Sequence, residues 1–453
     1  MKSVSGVSLD AMGRSAFLSM LLVCACGKVN NDTPADANLI DADETGMLSV
    51  VTQARFFAGG AAVGAAQPSV DVVSVRPNNT LADMAQTDAS GHASLKIYPG
   101  GSVTAIYPHP AATDMGADLV TYFGVKPDDV LTFGQRFLPN TSTNLGAMTF
   151  TYPAVAAAST YFVYGPCGSA GVSAGTLSLT MTEFTSCHHE PMDIIYIARD
   201  AAGQVINYNY VTVPFQAGTN RAITSWAAAK TAMISVTGLP AEVQNLSATF
   251  FNVGNIGSSD EEMYGFSVSG QATGGAYTNS FAWGPTGVRT EARLTMSRPG
   301  TYRTMQLVDA LQSSATTWTV ASPMLPPWLQ TFTASIAEQM GIMYLVGDGP
   351  YDAATFRITW THVVGSTNTP FVWTFILPPQ MTTFTFPKLP AQFAAYLPQP
   401  QDTFSTQAHV IEIPSVMSYD ALRAIPEKSL ICPGTFVPDC AVRNNEFQRV
   451  IYE

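Results

Sequence analysis

A chain of 453 residues, 46% of them hydrophobic, can bury several cores, and at roughly 100–150 residues per domain three or four are expected. Only 12% of residues are charged and the net charge is −12 without a Lys/Arg cluster, which excludes a basic nucleic-acid footprint. No segment reaches the roughly 18 uninterrupted apolar residues of a spanning helix, so none is predicted.

Lys2 and Arg14 form a basic region ahead of an apolar run from Ala16 to Ala25, which has the length of a signal-peptide core. The run closes on Val23-Cys24-Ala25-Cys26. This ending resembles the lipobox of bacterial lipoproteins, whose cysteine is diacylated before cleavage just upstream of it. The resemblance implies a signal peptide over residues 1–26, a lipid on Cys26 and a cell-envelope location with the membrane as partner. Cys26 fits better than Cys24, because Ala25 is a small residue at the cut and an even set of cysteines then remains. Gly27 stands where an aspartate would resemble an inner-membrane retention signal, so outer-membrane sorting is expected. The alternative is ordinary cleavage and secretion. Loss of Lys2, Arg14 and Asp10 with the signal takes the net charge from −12 to −13.

Residues 27–45 follow as an acidic tether. Asp32, Asp36, Asp41, Asp43 and Glu44 sit among small and polar residues with little to bury, and mutual repulsion favours an extended segment.

From Gly46 onward the hydrophobic period is two. Leu177, Leu179 and Met181 alternate with Ser and Thr, as do Phe356, Ile358 and Trp360, while Ile206, Tyr208 and Tyr210 alternate with Asn. Such runs present one face to a core and one to water, and the 35 glycines and 30 prolines punctuate them at short intervals. The expected class is all-β, several antiparallel Ig-like or transthyretin-like β-sandwich domains in tandem, over residues 46–110, 145–226, 230–321 and 326–453. Asp88-Ala-Ser-Gly91 and Asp200-Ala-Ala-Gly203 predict two hairpins, each with Asp to open a turn and Gly for its left-handed position. Val70–Val73, Thr87-Asp-Ala-Ser-Gly91, Ala93–Ile97 and Pro99-Gly100 together resemble the carboxypeptidase regulatory-like sandwich of bacterial surface proteins. That likeness implies a spacer or binding module and carries no catalytic residues. Leu329, Phe332, Ile336 and Met340 have a helical spacing, although Phe332 also lies in a Thr-rich run that reads as strand; Ser418–Ile425 predicts a short helix stopped by Pro426.

Cys167, Cys187, Cys432 and Cys440 permit three pairings. The most local set joins Cys167 to Cys187 and Cys432 to Cys440, each flanked by Gly and Pro. No pair has the short gap of a zinc knuckle, and an exported chain favours disulfides. Gly171-Val-Ser173-Ala-Gly175 matches the pattern of a nucleophile elbow, but an alternating strand follows it where that motif needs a helix. His188-His189-Glu190 carries metal-ligand types, yet neighbours on a strand face opposite ways. Asp260-Glu261-Glu262, and Asp348 with Asp352, place carboxylates in loops without a calcium-loop pattern. Tyr161, Phe162, Tyr164, Trp283, Trp360 and Trp373 read as core or cross-strand aromatics, with a sugar-stacking platform as the alternative. No catalytic residue, metal or cofactor is expected. The favoured reading is a lipid-anchored envelope protein with a binding or structural role, meeting a cell-surface glycan or protein. The rivals are a secreted hydrolase of glycans or esters and an accessory subunit of an envelope assembly or transport system.

Overall fold

Alternation becomes strand in the computed structural model, which describes residues 45–423 and 448–452. Within them, 59–60, 110–115, 136–142, 186–187, 189, 257–258, 285–288, 298–303, 313–314, 322–324, 348, 365–366, 414–415 and 417 are excepted. The expected signal peptide and tether, Cys187, His189, Asp348, Cys432 and Cys440 lie outside the described residues. The fold is all-β, built from several mostly antiparallel sheets.

The first eight strands are β1 (Gly46–Ala58), β2 (Ala61–Ala66), β3 (Asp71–Val75), β4 (Leu81–Gln86), β5 (His92–Ile97), β6 (Gly101–Pro108), β7 (Ala117–Val125) and β8 (Val130–Gln135). One layer centres on β1, antiparallel to β2 and β5 and parallel to β8. The other runs β4-β3-β6-β7. Leu48, Val50, Leu95 and Phe133 from the first layer meet Val72, Val103, Ala105 and Tyr122 from the second. Both layers are completed by strands beyond residue 110, and the same core takes Ala353, Ile376 and Ile411 from far along the chain. The Asp88 turn forms as its chemistry predicts: the Asp88 carboxylate accepts from Ser90 N (2.8 Å) and His92 N (3.0 Å), and Gly91 adopts φ 76°. It is nonetheless not a hairpin. Thr87 donates its hydroxyl to Gln67 O and accepts from Val70 N, and β4 and β5 then enter opposite layers.

The next eight are β9 (Asn144–Thr151), β10 (Thr160–Gly165), β11 (Gly168–Ser173), β12 (Ser178–Phe184), β13 (Met192–Arg199), β14 (Val205–Val213), β15 (Asn220–Ala222) and β16 (Ala227–Ala228). They form sheets β11-β10-β13-β14-β16 and β12-β9-β15 around a core of Phe150, Tyr161, Val163, Leu179, Ile194 and Tyr196. Here the Asp200 turn does close a hairpin, β13 to β14, with Gly203 at φ 79°.

Seven more follow: β17 (Lys230–Thr237), β18 (Asn245–Ile256), β19 (Ser259–Gln271), β20 (Tyr277–Trp283), β21 (Arg289–Ser297), β22 (Thr304–Gln312) and β23 (Thr317–Ala321). The last group is β24 (Trp328–Ser335), β25 (Met340–Val346), β26 (Ala353–Val364), β27 (Thr367–Leu377), β28 (Thr383–Thr385), β29 (Thr403–Glu412), a five-residue helix α1 (Tyr419–Arg423) and β30 (Gln448–Tyr452). The Leu329–Met340 segment is strand and turn, not helix. Thr331 and Thr333 around Phe332 impose a period of two, and β24 pairs with β25. Helix α1 falls inside the predicted Ser418–Ile425.

Strands from distant parts of the chain share one sheet of order β19-β18-β21-β22-β30-β29-β26-β27-β7-β6-β3-β4. Two joints deserve note. Strand β27 runs parallel to β7, pairing Trp373 with Leu119. Strand β30 lies between β22 and β29, antiparallel to both. Segments expected as separate first, third and fourth modules are therefore continuous through backbone hydrogen bonds, a long-range pairing that composition does not encode.

Candidate functional site

The sequence pattern of β12 leads to a buried acid. Its residues alternate exposed and buried, so Leu179, Met181 and Glu183 all point inward. The Glu183 side chain is 1% exposed, and burial, with Glu190 as a nearby like charge, pushes its carboxyl up to about 7. His188 sits between the two acids: Nδ1 is 3.5 Å from Glu183 Oε2, and Nε2 is 3.5 Å from Glu190 Oε1. Glu190 Oε1 also accepts from Phe215 N (2.8 Å), and the Phe215 ring meets the imidazole edge-on at 5.1 Å. The carboxylates approach opposite nitrogens, so they do not converge on one point as metal ligands would. What the arrangement supplies is a buried carboxyl, raised by desolvation and by the Glu190 charge, beside an imidazole.

Linkage gives this group a sign. Between the ordinary glutamate value of 4.5 and about 7, the folded chain binds a proton that the unfolded chain has released. Stability therefore falls as pH rises through that window and levels off above it. Glu183→Gln is expected to flatten this slope and to exceed the wild type at pH 8 by on the order of 2 kcal/mol. Urea melts at pH 4.5, 6 and 8 check this, and parallel wild-type and variant slopes would overturn it.

A disulfide borders the cluster. Cys167 is disulfide-bonded, and Phe184 N donates to its Sγ at 3.2 Å. Its partner lies outside the described residues. Non-reducing peptide mapping is expected to recover Cys167 with Cys187 and Cys432 with Cys440; free thiols or bound zinc at these positions would refute the pairing.

The other sequence-selected residues are placed as follows. Ser173 ends β11, an edge strand, opposite Thr160; it is exposed, and its carbonyl accepts from Thr176 N in a turn that leads to β12. That is strand–turn–strand, without the helix that an elbow requires. Asp260, Glu261 and Glu262 lie in β19 rather than in a loop, opposite Asn255, Gly254 and Val253. Asp352 Oδ2 accepts from Ile413 N (2.7 Å), and burial raises its carboxyl. Of the aromatic set, Tyr161, Trp283, Trp360 and Trp373 are fully buried, and Phe162 and Tyr164 stack on each other against the core. These rings build cores, not an exposed sugar platform. Among the described residues no group of three or more His, Cys, Asp or Glu could hold a metal ion.

A second feature is a cleft of about 410 Å³ between the loop after β3 and strand β28. Arg76 N donates to Thr80 O (2.8 Å) and Asn79 N to Arg76 O (2.9 Å), a tight loop in which Asn79 takes φ 61°. The Asn79 side chain then clamps the far wall, donating to Phe386 O (3.0 Å) and accepting from Lys388 N (2.7 Å). Arg76 lies over the Tyr98 ring with Cζ 4.4 Å from the centroid, and Lys96 Nζ is 5.9 Å from the same centroid. Arg76, Asn78, Ser102, Phe123, Thr383 and Thr385 line the opening.

No protein-family model and no curated protein matches the chain. Three solved structures resemble it loosely. The Bacillus anthracis TIE protein is 12% identical over 61% of this chain, at TM-score 0.14; the chain spans about half of that protein's length (49%). A Bacteroides ovatus protein described as a cell adhesion protein is 10% identical over 60% of this chain and 91% of its own, at TM-score 0.15. The streptococcal ancillary pilin is 7% identical over 62% and 99%, at TM-score 0.13. No family is assigned. Superpositions this loose carry no functional argument.

Sequence reasoning singled out His188 and Glu190 but passed over Glu183. The signal was present, since an acid at the inward phase of an alternating strand is an unusual burial. Arg76 had no such signal, because the wall facing it comes from some 300 residues further along the chain.

Proposed function

We propose that the chain is a cell-envelope protein with a binding or structural role, anchored by lipid on Cys26 and held off the membrane by the tether 27–45. The supporting observation is the twelve-stranded sheet that splices distant segments into one framework, together with a preformed cleft where the loop after β3 faces β28. A framework whose large aromatics are spent in cores suits presentation and binding. Export and anchoring rest on the Ala25-Cys26 ending of the apolar run.

Expression with radioactive palmitate in a bacterial host tests the anchor. The wild type is expected to label and to partition into detergent; Cys26→Ser abolishes labelling and Cys24→Ser keeps it. Loss of label in Cys24→Ser alone would move the anchor, and an unlabelled wild type would make the chain a secreted protein. The hydrolase reading is tested separately with a fluorophosphonate probe and short-chain esters. Stoichiometric labelling at Ser173, lost in Ser173→Ala, would overturn the binding or structural role.

A further inference from the structure

We propose that the cleft at Arg76 binds a carboxylated saccharide, a hexuronic acid unit of an anionic glycan. This rests on the binding reading above and names the ligand class for its preformed cleft. Four observations converge.

The first is electrostatic. The chain has only 21 Lys and Arg against 33 Asp and Glu, yet Arg76 and Lys96 lie against one tyrosine ring. Among the described residues no carboxylate forms an ion pair with Arg76, and its Nε is buried without a hydrogen-bond partner. Stacking on Tyr98 fixes the plane of the guanidinium, and a planar fork is the group that recognises a carboxylate through two parallel hydrogen bonds.

The second is the neutral polar lining. Ser102 is 4% exposed, lines the cleft, and makes no side-chain hydrogen bond among the described residues. Its Oγ stays open to the cleft, where a ligand hydroxyl would take the place of water. Asn78 accepts from the Thr80 amide and hydroxyl through Oδ1, which leaves its NH₂ to donate. Thr383 and Thr385 add hydroxyls on the opposite wall. Donors and acceptors spread around one charged fork match a ring that carries several hydroxyls and one carboxylate.

The third is size. About 410 Å³ lies in the range of roughly 300–1,000 Å³ typical of small-ligand sites, and Phe123 offers an apolar surface within it. The fourth is preorganisation. The Arg76–Thr80 loop is closed by its own backbone bonds and pinned across the cleft by Asn79, so little ordering remains to oppose binding. A neutral sugar would leave the guanidinium unused, and an inorganic anion would leave the hydroxyls unused. An acidic peptide lacks the ring hydroxyls that Ser102 and the threonines would meet.

The test is calorimetric titration of the full chain with trigalacturonate, its methyl ester, sodium phosphate and a triglutamate peptide. Trigalacturonate is expected to bind, and the methyl ester at least about tenfold more weakly, as loss of one charge-assisted pair implies. Arg76→Gln and Arg76→Lys should each weaken trigalacturonate about tenfold, since lysine keeps the charge but not the fork. Ser102→Ala should weaken it a few-fold, and Lys230→Gln, an exposed cation on β17, should not change it. Unfolding midpoints of the four variants confirm that each is folded. Equal affinity for acid and ester, unchanged affinity in Arg76→Gln, or no binding to the folded wild type would overturn the proposal. Phosphate or triglutamate binding as tightly as trigalacturonate would overturn it as well, in favour of an unspecific anion site or a peptide site. Release of reducing ends from the trimer would instead leave the ligand class standing and sink the purely binding role.

Discussion

Replacing Trp373 with alanine is expected to destabilise the protein by about 4 kcal/mol, the cost of deleting a large buried aromatic side chain. Trp373 is 1% exposed and lies on β27, its ring 4.8 Å from Phe375 and 5.7 Å from Phe386. Its Nε1–H donates to Thr121 Oγ1 at 2.8 Å, and Thr121 in turn meets Thr104 Oγ1 at 2.8 Å. The indole therefore fills a core and also ties β27 to β7 and β6. Trp373→Phe keeps most of the apolar volume and loses the hydrogen bond, so about 1–2 kcal/mol is expected. Urea midpoints with a constant slope measure both. A loss below about 1 kcal/mol in Trp373→Ala, combined with lost glycan binding, would return this ring to the sugar platform that its sequence context allowed.

Removing Arg423 is expected to cost about 3 kcal/mol, because its partners would remain as uncompensated buried or half-buried acids. Arg423 is 1% exposed at the end of α1. Its guanidinium donates to Asp129 Oδ2 at 2.7 Å, to Asp420 Oδ1 at 2.5 Å and to the Gly124 carbonyl, and stacks over Tyr419 at 5.0 Å. Burial already pushes the Asp129 carboxyl up, and deleting the cation would push it further. The Tyr419 hydroxyl lies 3.0 Å from the carbonyls of both Phe123 and Ile376, so α1 holds the ends of β7 and β27 together. Arg423→Met combined with Asp129→Asn should recover part of the loss, with a coupling above about 1 kcal/mol in a double-mutant cycle. Additive losses in that cycle would show that the pair is incidental to stability.

The class of the fold was legible because one-sided burial writes a period of two into each strand. Phe356, Ile358 and Trp360 of β26 are buried where the alternation placed them. Turn chemistry was legible too, at Asp88 and Asp200, but the path after the turn was not. Whether the chain returns beside itself or crosses to the other layer is decided by contacts such as Thr87 with Gln67, which the turn residues do not contain. The helical spacing of Leu329, Phe332, Ile336 and Met340 misled because period-two signals in the same stretch matched a strand that β25 could accept. Least legible were pairings such as β7 with β27. Strands with the same hydrophobic alternation are interchangeable on composition, and only shape decides which two meet. The Arg76 cleft shares that opacity, since its walls are brought together by Asn79 bonding Phe386 and Lys388 some 300 residues further along the chain.

The position of β30 sets an order of events during biosynthesis. Strands β22 and β29 cannot be joined until residues 448–452 have been made, after every other described strand. Up to that moment a nascent chain carries two open strand edges, which are templates for pairing with neighbours. If the chain crosses a membrane unfolded, this step waits until residues 448–452 have been delivered, so completion of the sheet would report that translocation of the described strands is finished. Protease resistance across the β22–β30–β29 seam should then mature later than resistance within the β9–β16 sandwich, whose strands are delivered earlier and pair among themselves.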